Sequence, residues 1–186
     1  MSEKPAGRRT CLYSAEQLEA IVMDMARQIA GLLAGRSRVA LVGILRRGAP
    51  LADRLHAQLR DTWGRGDCVR LDLQIKRYAD DLALLHPETQ LTENPSHAGI
   101  ELRGLTVVVV DDVMYRGNSM LRAVEYLARR EPAEIRTAVL VDRGVTTLPV
   151  RSDVVGVRLD VAPCDIIECN VPPYEADFRI DLLQPA

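Results

Sequence analysis

Two rhythms of apolar and polar residues run along this chain, and the places where one gives way to the other mark its elements. Leu18, Ile21, Val22, Met25, Ile29, Leu32 and Leu33 recur at helical spacing until Gly35, and Ser14-Ala15-Glu16-Gln17 ahead of them has the S-x-x-Q form of a capping box. Val39 to Ile44 is a continuous apolar strand, followed by the turn Leu45-Arg46-Arg47-Gly48-Ala49-Pro50 and a second helix carrying Leu51, Leu55 and Leu59. Cys68 to Ile75 alternates as a second strand. The pattern then dissolves into a polar stretch from Lys76 to Gly99 containing Pro87 and Pro95, a length that in a folded protein points to a lid or a disordered segment. Leu105 to Val110 is apolar and β-branched throughout, as in a parallel strand buried on both faces, and predicts the centre of a sheet. An amphipathic helix with Met120, Leu121, Val124 and Leu127 begins near Ser119. Ile135 to Val141 is a further strand, and Val154 to Val157 and Ile166 to Val171 are short ones. Strands alternating with helices predict an α/β fold, a doubly wound and mostly parallel sheet in a single domain over residues 1–186.

The chemistry lies at the end of the central strand. Val109-Val110-Asp111-Asp112-Val113-Met114-Tyr115-Arg116-Gly117-Asn118-Ser119 places two adjacent carboxylates ahead of a glycine turn and a helix start. In open α/β sheets ligands sit beyond the carboxyl ends of strands, and a helix N-terminus there offers N–H groups to a phosphate. The carboxylates then face ribose hydroxyls, or a magnesium ion bridging to them. Acid pairs at strand ends also serve as plain helix caps, as solvated loop residues or as the acid pockets of receiver domains. The chain has neither G-x-x-x-x-G-K-[ST] nor G-x-G-x-x-G, which removes the common triphosphate and dinucleotide loops.

Composition narrows the classes. A net charge of −2 over 186 residues gives no global argument for nucleic-acid binding, and one Phe and one Trp leave few stacking platforms for bases. Four cysteines and three histidines fall in no metal-ligand spacing, so buried, reduced thiols are the expectation. No stretch approaches the length of a bilayer span and the N-terminal residues lack a signal-peptide core, which predicts a cytoplasmic protein without a membrane partner.

Separated segments resemble the type I phosphoribosyltransferases, in that family's order and from near Thr10 to near Asn170. Val42-Gly43-Ile44 through Arg47-Gly48, with Leu51-Ala52-Asp53-Arg54-Leu55, is similar to the family's pyrophosphate loop and its helix. Tyr78-Ala79-Asp80-Asp81-Leu82 resembles the root of its flexible loop. Val109 to Ser119, with Tyr115, resembles the loop that binds 5-phosphoribosyl pyrophosphate (PRPP), and Val139 to Gly144 with Leu148 to Asp153 is similar to the segment beside the base. The nearest group is the PyrR-type pyrimidine-operon attenuators, which also have uracil phosphoribosyltransferase activity.

The resemblance implies the type I fold with a flexible lid at about 76–99 and a small hood from the two ends of the chain. It implies Asp111 and Asp112 as catalytic residues that hold the ribose hydroxyls and Mg2+, directly or through water. Tyr115, Arg116, Gly117, Asn118 and Ser119 would take the 5′-phosphate; Arg46, Arg47, Gly48, Lys76 and Arg77 the pyrophosphate; and Val141, Asp142 and Arg143 the base, with Asp142 and Arg143 as an ion pair that either shapes the pocket or is structural. Arg46-Arg47 and Lys76-Arg77 also read as ordinary solvated charges. Implied partners are PRPP, a nucleobase with uracil favoured, a messenger-RNA leader, and a second copy of the chain in a homodimer or larger homo-oligomer. Where hypoxanthine-guanine relatives have a Lys for the purine carbonyl, this chain has Asp142, which favours a pyrimidine. Family members usually have a small hydroxyl residue before the loop glycine; here Arg116 stands there, either adding a phosphate contact or crowding the turn. The segment from Cys164 through Arg179 matches poorly. A purine phosphoribosyltransferase and a catalytically silent, RNA-binding nucleotide sensor stay open as alternatives.

Overall fold

A computed structural model of the chain describes residues 6–75, 89–91 and 99–185. A first strand, β1 (Gly7–Tyr13), leads to helix α1 (Ala15–Leu32), and the capping box forms as its spacing predicts. The Gln17 N–H donates to Ser14 Oγ at 3.4 Å, and the Ser14 N–H donates to Gln17 Oε1 at 2.9 Å. β2 (Val39–Ile44), α2 (Gly48–Trp63), β3 (Val69–Ile75), β4 (Thr89–Leu91), β5 (Thr106–Met114), α3 (Asn118–Ala128), β6 (Glu134–Asp142) and β7 (Val154–Arg158) follow, then β8 (Ile166–Asn170) and β9 (Arg179–Pro185).

The main sheet has the order β4-β3-β2-β5-β6-β7, parallel throughout except for β4, which runs antiparallel to β3. Alternation along β5 explains its double burial, because successive side chains point to opposite faces. Val108 and Val110 pack with Leu140 against Leu18, Val22 and Met25 of α1 and Leu51 and Leu55 of α2. Val107, Val109 and Val139 pack against Met120, Ala123 and Leu127 of α3 on the other face. The doubly wound expectation is therefore met, with two helices on one face and one on the other.

A second, antiparallel sheet of order β1-β9-β8 joins the two ends of the chain, Gly7 pairing with Pro185. This is the expected hood. It rests on the α1/α2 side, where Val171, Phe178 and Ile180 enter the same core as Leu51 and the Arg54 guanidinium lies 4.3 Å from the centre of the Phe178 ring.

Two expectations change. The central strand does not stop at Val110: the ladder with β6 continues through Asp111 opposite Val139 to Met114 opposite Asp142, so both acids belong to the strand. Within the stretch expected to lack structure, Thr89–Leu91 pair with Leu73–Ile75 as β4. The remainder of the lid expectation, with Lys76, Arg77 and Tyr78 to Leu82, lies outside the described residues. Among the described residues no helix is long and apolar enough to cross a membrane.

Candidate active site

The parallel strands all end at one edge of the sheet, and the turns leaving β2, β5 and β6 converge there, as ligand sites do in open α/β sheets. The β2 turn comes first. Its Leu45–Arg46 peptide is cis, and α2 starts directly at Gly48. A side chain at Gly48 would place its Cβ 2.6 Å from the Val110 carbonyl oxygen and 3.3 Å from Asp111 Oδ1; one at Gly43 would sit 2.6 Å from Ala49 Cα. These two glycines let the start of α2 lie against β2 and β5, bringing Arg46 and Arg47 level with the acid pair.

Asp111 and Asp112 are both half-buried, and the Asp112 N–H donates to Asp111 Oδ1 at 2.9 Å. As neighbours on a strand they diverge. Asp111 lines a cavity of about 390 Å³ whose other walls are Val113 to Met120, Arg122 and Val139. Gly117 closes the turn with φ 86°, and as N-cap it offers no side-chain hydrogen bond to the helix that begins at Asn118. A helix start of this kind points N–H groups outward, and here they face the same cavity as the Asp111 carboxylate. A Cβ on Gly117 would also meet Thr146 Cγ2 at 3.0 Å, so the turn is closed by both backbone conformation and space.

Asp112 lies on the hood side. Hydrogen bonding to Glu175 raises the Arg47 guanidinium above its ordinary pKa against the opposing pull of burial, and the charge of Asp112 adds to the rise. Burial, then the Asp112 charge, pushes the Cys169 thiol well above its usual value, so it stays protonated and is no nucleophile. Neither Arg46 nor Arg47 is a freely solvated charge. Arg47 Nε and Nη2 bind the Glu175 carboxylate, Nη2 at 2.5 Å, and Arg46 stacks 4.9 Å from the Tyr174 ring centre.

On the β6 side the expected Asp142–Arg143 ion pair does not form. Adjacent residues at a strand end point apart: Asp142 Oδ1 accepts the Gly144 N–H at 2.9 Å, while Arg143 turns inward. Only 7% of Arg143 is exposed. Its guanidinium lies 4.6 Å from the Tyr115 ring centre and donates from Nη2 to the Ala162 carbonyl at 3.4 Å, and its buried Nε has no hydrogen-bond partner among the described residues. Arg116, far from crowding the turn, is exposed and stacks at 5.4 Å on the same Tyr115 ring. Val141, expected at the base, is fully buried in the hood-side core and has no side-chain surface to offer.

The structure thus groups Asp111, Tyr115, Arg116, Gly117, Asn118 and Ser119 around one cavity, with Gly48 against Asp111, Arg47 near Asp112 and Arg46 on the Tyr174 ring. Tyr174, Glu175 and Ala162 were missed by sequence reasoning. Only Pro172-Pro173-Tyr174-Glu175, a proline turn followed by an aromatic and an acid, could have drawn attention to that stretch.

The chain is similar to known proteins along most of its length. The bifunctional protein PyrR of Roseiflexus sp. (strain RS-1) is 40% identical over 176 residues, 91% of each chain. That of Thermus thermophilus is 32% identical over 172 residues, 92% of this chain and 93% of its own. Among solved structures, the hypoxanthine phosphoribosyltransferase from Trypanosoma cruzi in complex with the product IMP superimposes with a TM-score of 0.74 at 16% identity, over 100% of this chain and 98% of that one, a likeness of fold. The phosphoribosyl transferase domain matches residues 9–177, a span that takes in the β2 and β5 turns, most of β1 and all of β8, and the chain belongs to that family.

Proposed function

We propose that this phosphoribosyltransferase transfers the 5-phosphoribosyl group of PRPP to uracil, giving UMP and pyrophosphate. The observation that carries the reading is the cavity shared by the Asp111 carboxylate and the N-terminal turn of α3: one end suits sugar hydroxyls, the other a phosphate, as a phosphoribosyl group demands. In the reaction a base nitrogen bonds to C1 of the ribose as the C1–O bond to pyrophosphate breaks, the nitrogen's proton being released. Positive charge develops on the sugar, and Asp111 and Asp112 stabilise it from fixed positions. Gly117, Asn118 and Ser119 hold the 5′-phosphate, with Tyr115 and Arg116 at its rim. Arg46, Arg47 and Gly48 face the pyrophosphate.

Magnesium fits this donor set. Asp111 and Asp112 offer hard oxygens on diverging side chains, so they would hold one ion at least partly through water, and since the described residues hold no cluster of three His, Cys, Asp or Glu, PRPP and water would complete its shell. Bound there, it supplies counter-charge to the leaving pyrophosphate.

Uracil is favoured because the Asp142 carboxylate at the end of β6 would repel a purine's O6, while Arg143, a buried, under-satisfied donor beside Tyr115, suits a carbonyl oxygen of the base. The relatives' name, bifunctional, supports a second role, and we assign it to regulation of a pyrimidine operon through its messenger-RNA leader. A cytoplasmic location and assembly as a homodimer or larger homo-oligomer belong to the same reading. The test is steady-state pyrophosphate release with uracil, hypoxanthine, guanine and xanthine. Uracil is expected to give the highest kcat/KM; a purine in first place moves the assignment to the hypoxanthine-guanine type, and no turnover with any base leaves a PRPP sensor.

A further inference from the structure

Two consecutive hood residues grip two consecutive residues of the β2 turn. Tyr174 lies under the Arg46 guanidinium, and Glu175 takes Arg47 through both Nε and Nη2, at 3.1 and 2.5 Å to Oε1. Glu175 is itself held in place. Its other oxygen accepts the Val171 N–H at 3.0 Å, and its side chain is 14% exposed. A guanidinium has five donors. Glu175 occupies one edge of the fork, which leaves the two hydrogens of Nη1 and one of Nη2 facing away from the hood. Arg47 is also within electrostatic reach of Asp112. An arginine on a turn, 40% exposed, would otherwise sample many rotamers, and fixing it before the ligand arrives removes that ordering cost from binding.

We infer that Glu175 is a positioning residue for the pyrophosphate end of PRPP: anchored in the hood, it clamps one edge of Arg47 so that the rest of the guanidinium meets the diphosphate. The inference rests on the PRPP reading above. The hood thereby acts on the leaving-group side of the site, while on the base side Arg143 reaches the Ala162 carbonyl in the segment between β7 and β8.

Glu175→Gln keeps the shape and removes the charge. Calorimetric titration with PRPP and magnesium, together with pyrophosphate inhibition, is expected to show both weakened about tenfold, the scale of one charge-assisted hydrogen bond, with KM for the base unchanged. Glu175→Asp, which keeps the charge, is expected to recover part of the loss. In an Arg47→Ala background Glu175→Gln is expected to add nothing to PRPP affinity, a coupling that a merely structural role would not produce. Unchanged or tighter PRPP binding in Glu175→Gln, or full additivity with Arg47→Ala, overturns the inference, tighter binding identifying Glu175 as a competitor of the diphosphate instead. Wild-type protein that binds no PRPP overturns the functional reading first. If Glu175→Gln does not fold, Tyr174→Leu, which releases Arg46 and loosens the same grip, is expected to weaken PRPP and pyrophosphate in parallel; unchanged affinity for both overturns the inference.

Discussion

Asp111 and Asp112 are neighbours with different surroundings: one opens on the cavity at the start of α3, the other turns to Arg47 and the hood. Replacing both by Asn keeps their volume and removes two fixed negative charges from the sugar. Turnover is expected to fall by about three orders of magnitude while the thermal midpoint stays near that of the wild type, to be checked by pyrophosphate release and by circular dichroism on one preparation. This pair was legible in the sequence because acids at the end of an apolar run are conspicuous. Arg143 was legible as a residue but not as a geometry: in the sequence its nearest counter-charge is Asp142, yet strand alternation sends the two apart and the partner it finds is a ring far away in the chain. Glu175 was not legible at all, since what makes it useful is Arg47, 128 positions away.

At the level of elements, the sequence reading located every helix and every strand of the parallel core. The end of β5 was set too early because two carboxylates break the apolar run; the ladder continues because β6 stays apolar to Val141 and supplies the partner groups. β1 escaped detection for another reason. Its seven residues are mostly exposed and carry no alternation, and they form a strand because β9 offers its edge. The contact of α2 with β5 was readable in part, since a glycine inside a strand signals close backbone approach and Gly43 is one. Gly48→Ala tests that contact. Its Cβ would press on the Val110 carbonyl and the Asp111 backbone, so a loss of about 1–3 kcal/mol in urea unfolding is expected, with a fall in activity larger than the small loss of folded protein accounts for, because Asp111 moves with it.

For the whole molecule, the clamp between hood and sheet carries a pH dependence. Burial works to raise the Glu175 carboxyl, but hydrogen bonds from Arg47 and the Val171 N–H outweigh it and hold the group below its ordinary range. A carboxyl whose pKa is depressed on folding stabilises the protein in full above its unfolded value, about 4.3, and loses that contribution as the pH falls through the lower, folded value. The stability difference between wild type and Glu175→Gln is therefore expected to be constant above about pH 5 and to shrink steadily below about pH 4. Urea unfolding of both proteins at a series of pH values checks it; a difference that grows toward acid would contradict the assignment.

The hood also has a consequence in time. Its middle strand, β9, joins β1 to β8, so residues near the start of the chain wait for residues near its end before they can pair. Contacts this distant in sequence close slowly. A ribosome releasing this chain would hold a parallel sheet with both aspartates in place, but with Arg46 and Arg47 ungripped until Tyr174, Glu175 and β9 had emerged from the exit tunnel. Competence to use a high-energy sugar phosphate would then wait for β9 to pair, and a nascent chain still lacking that strand would have little means of wasting one.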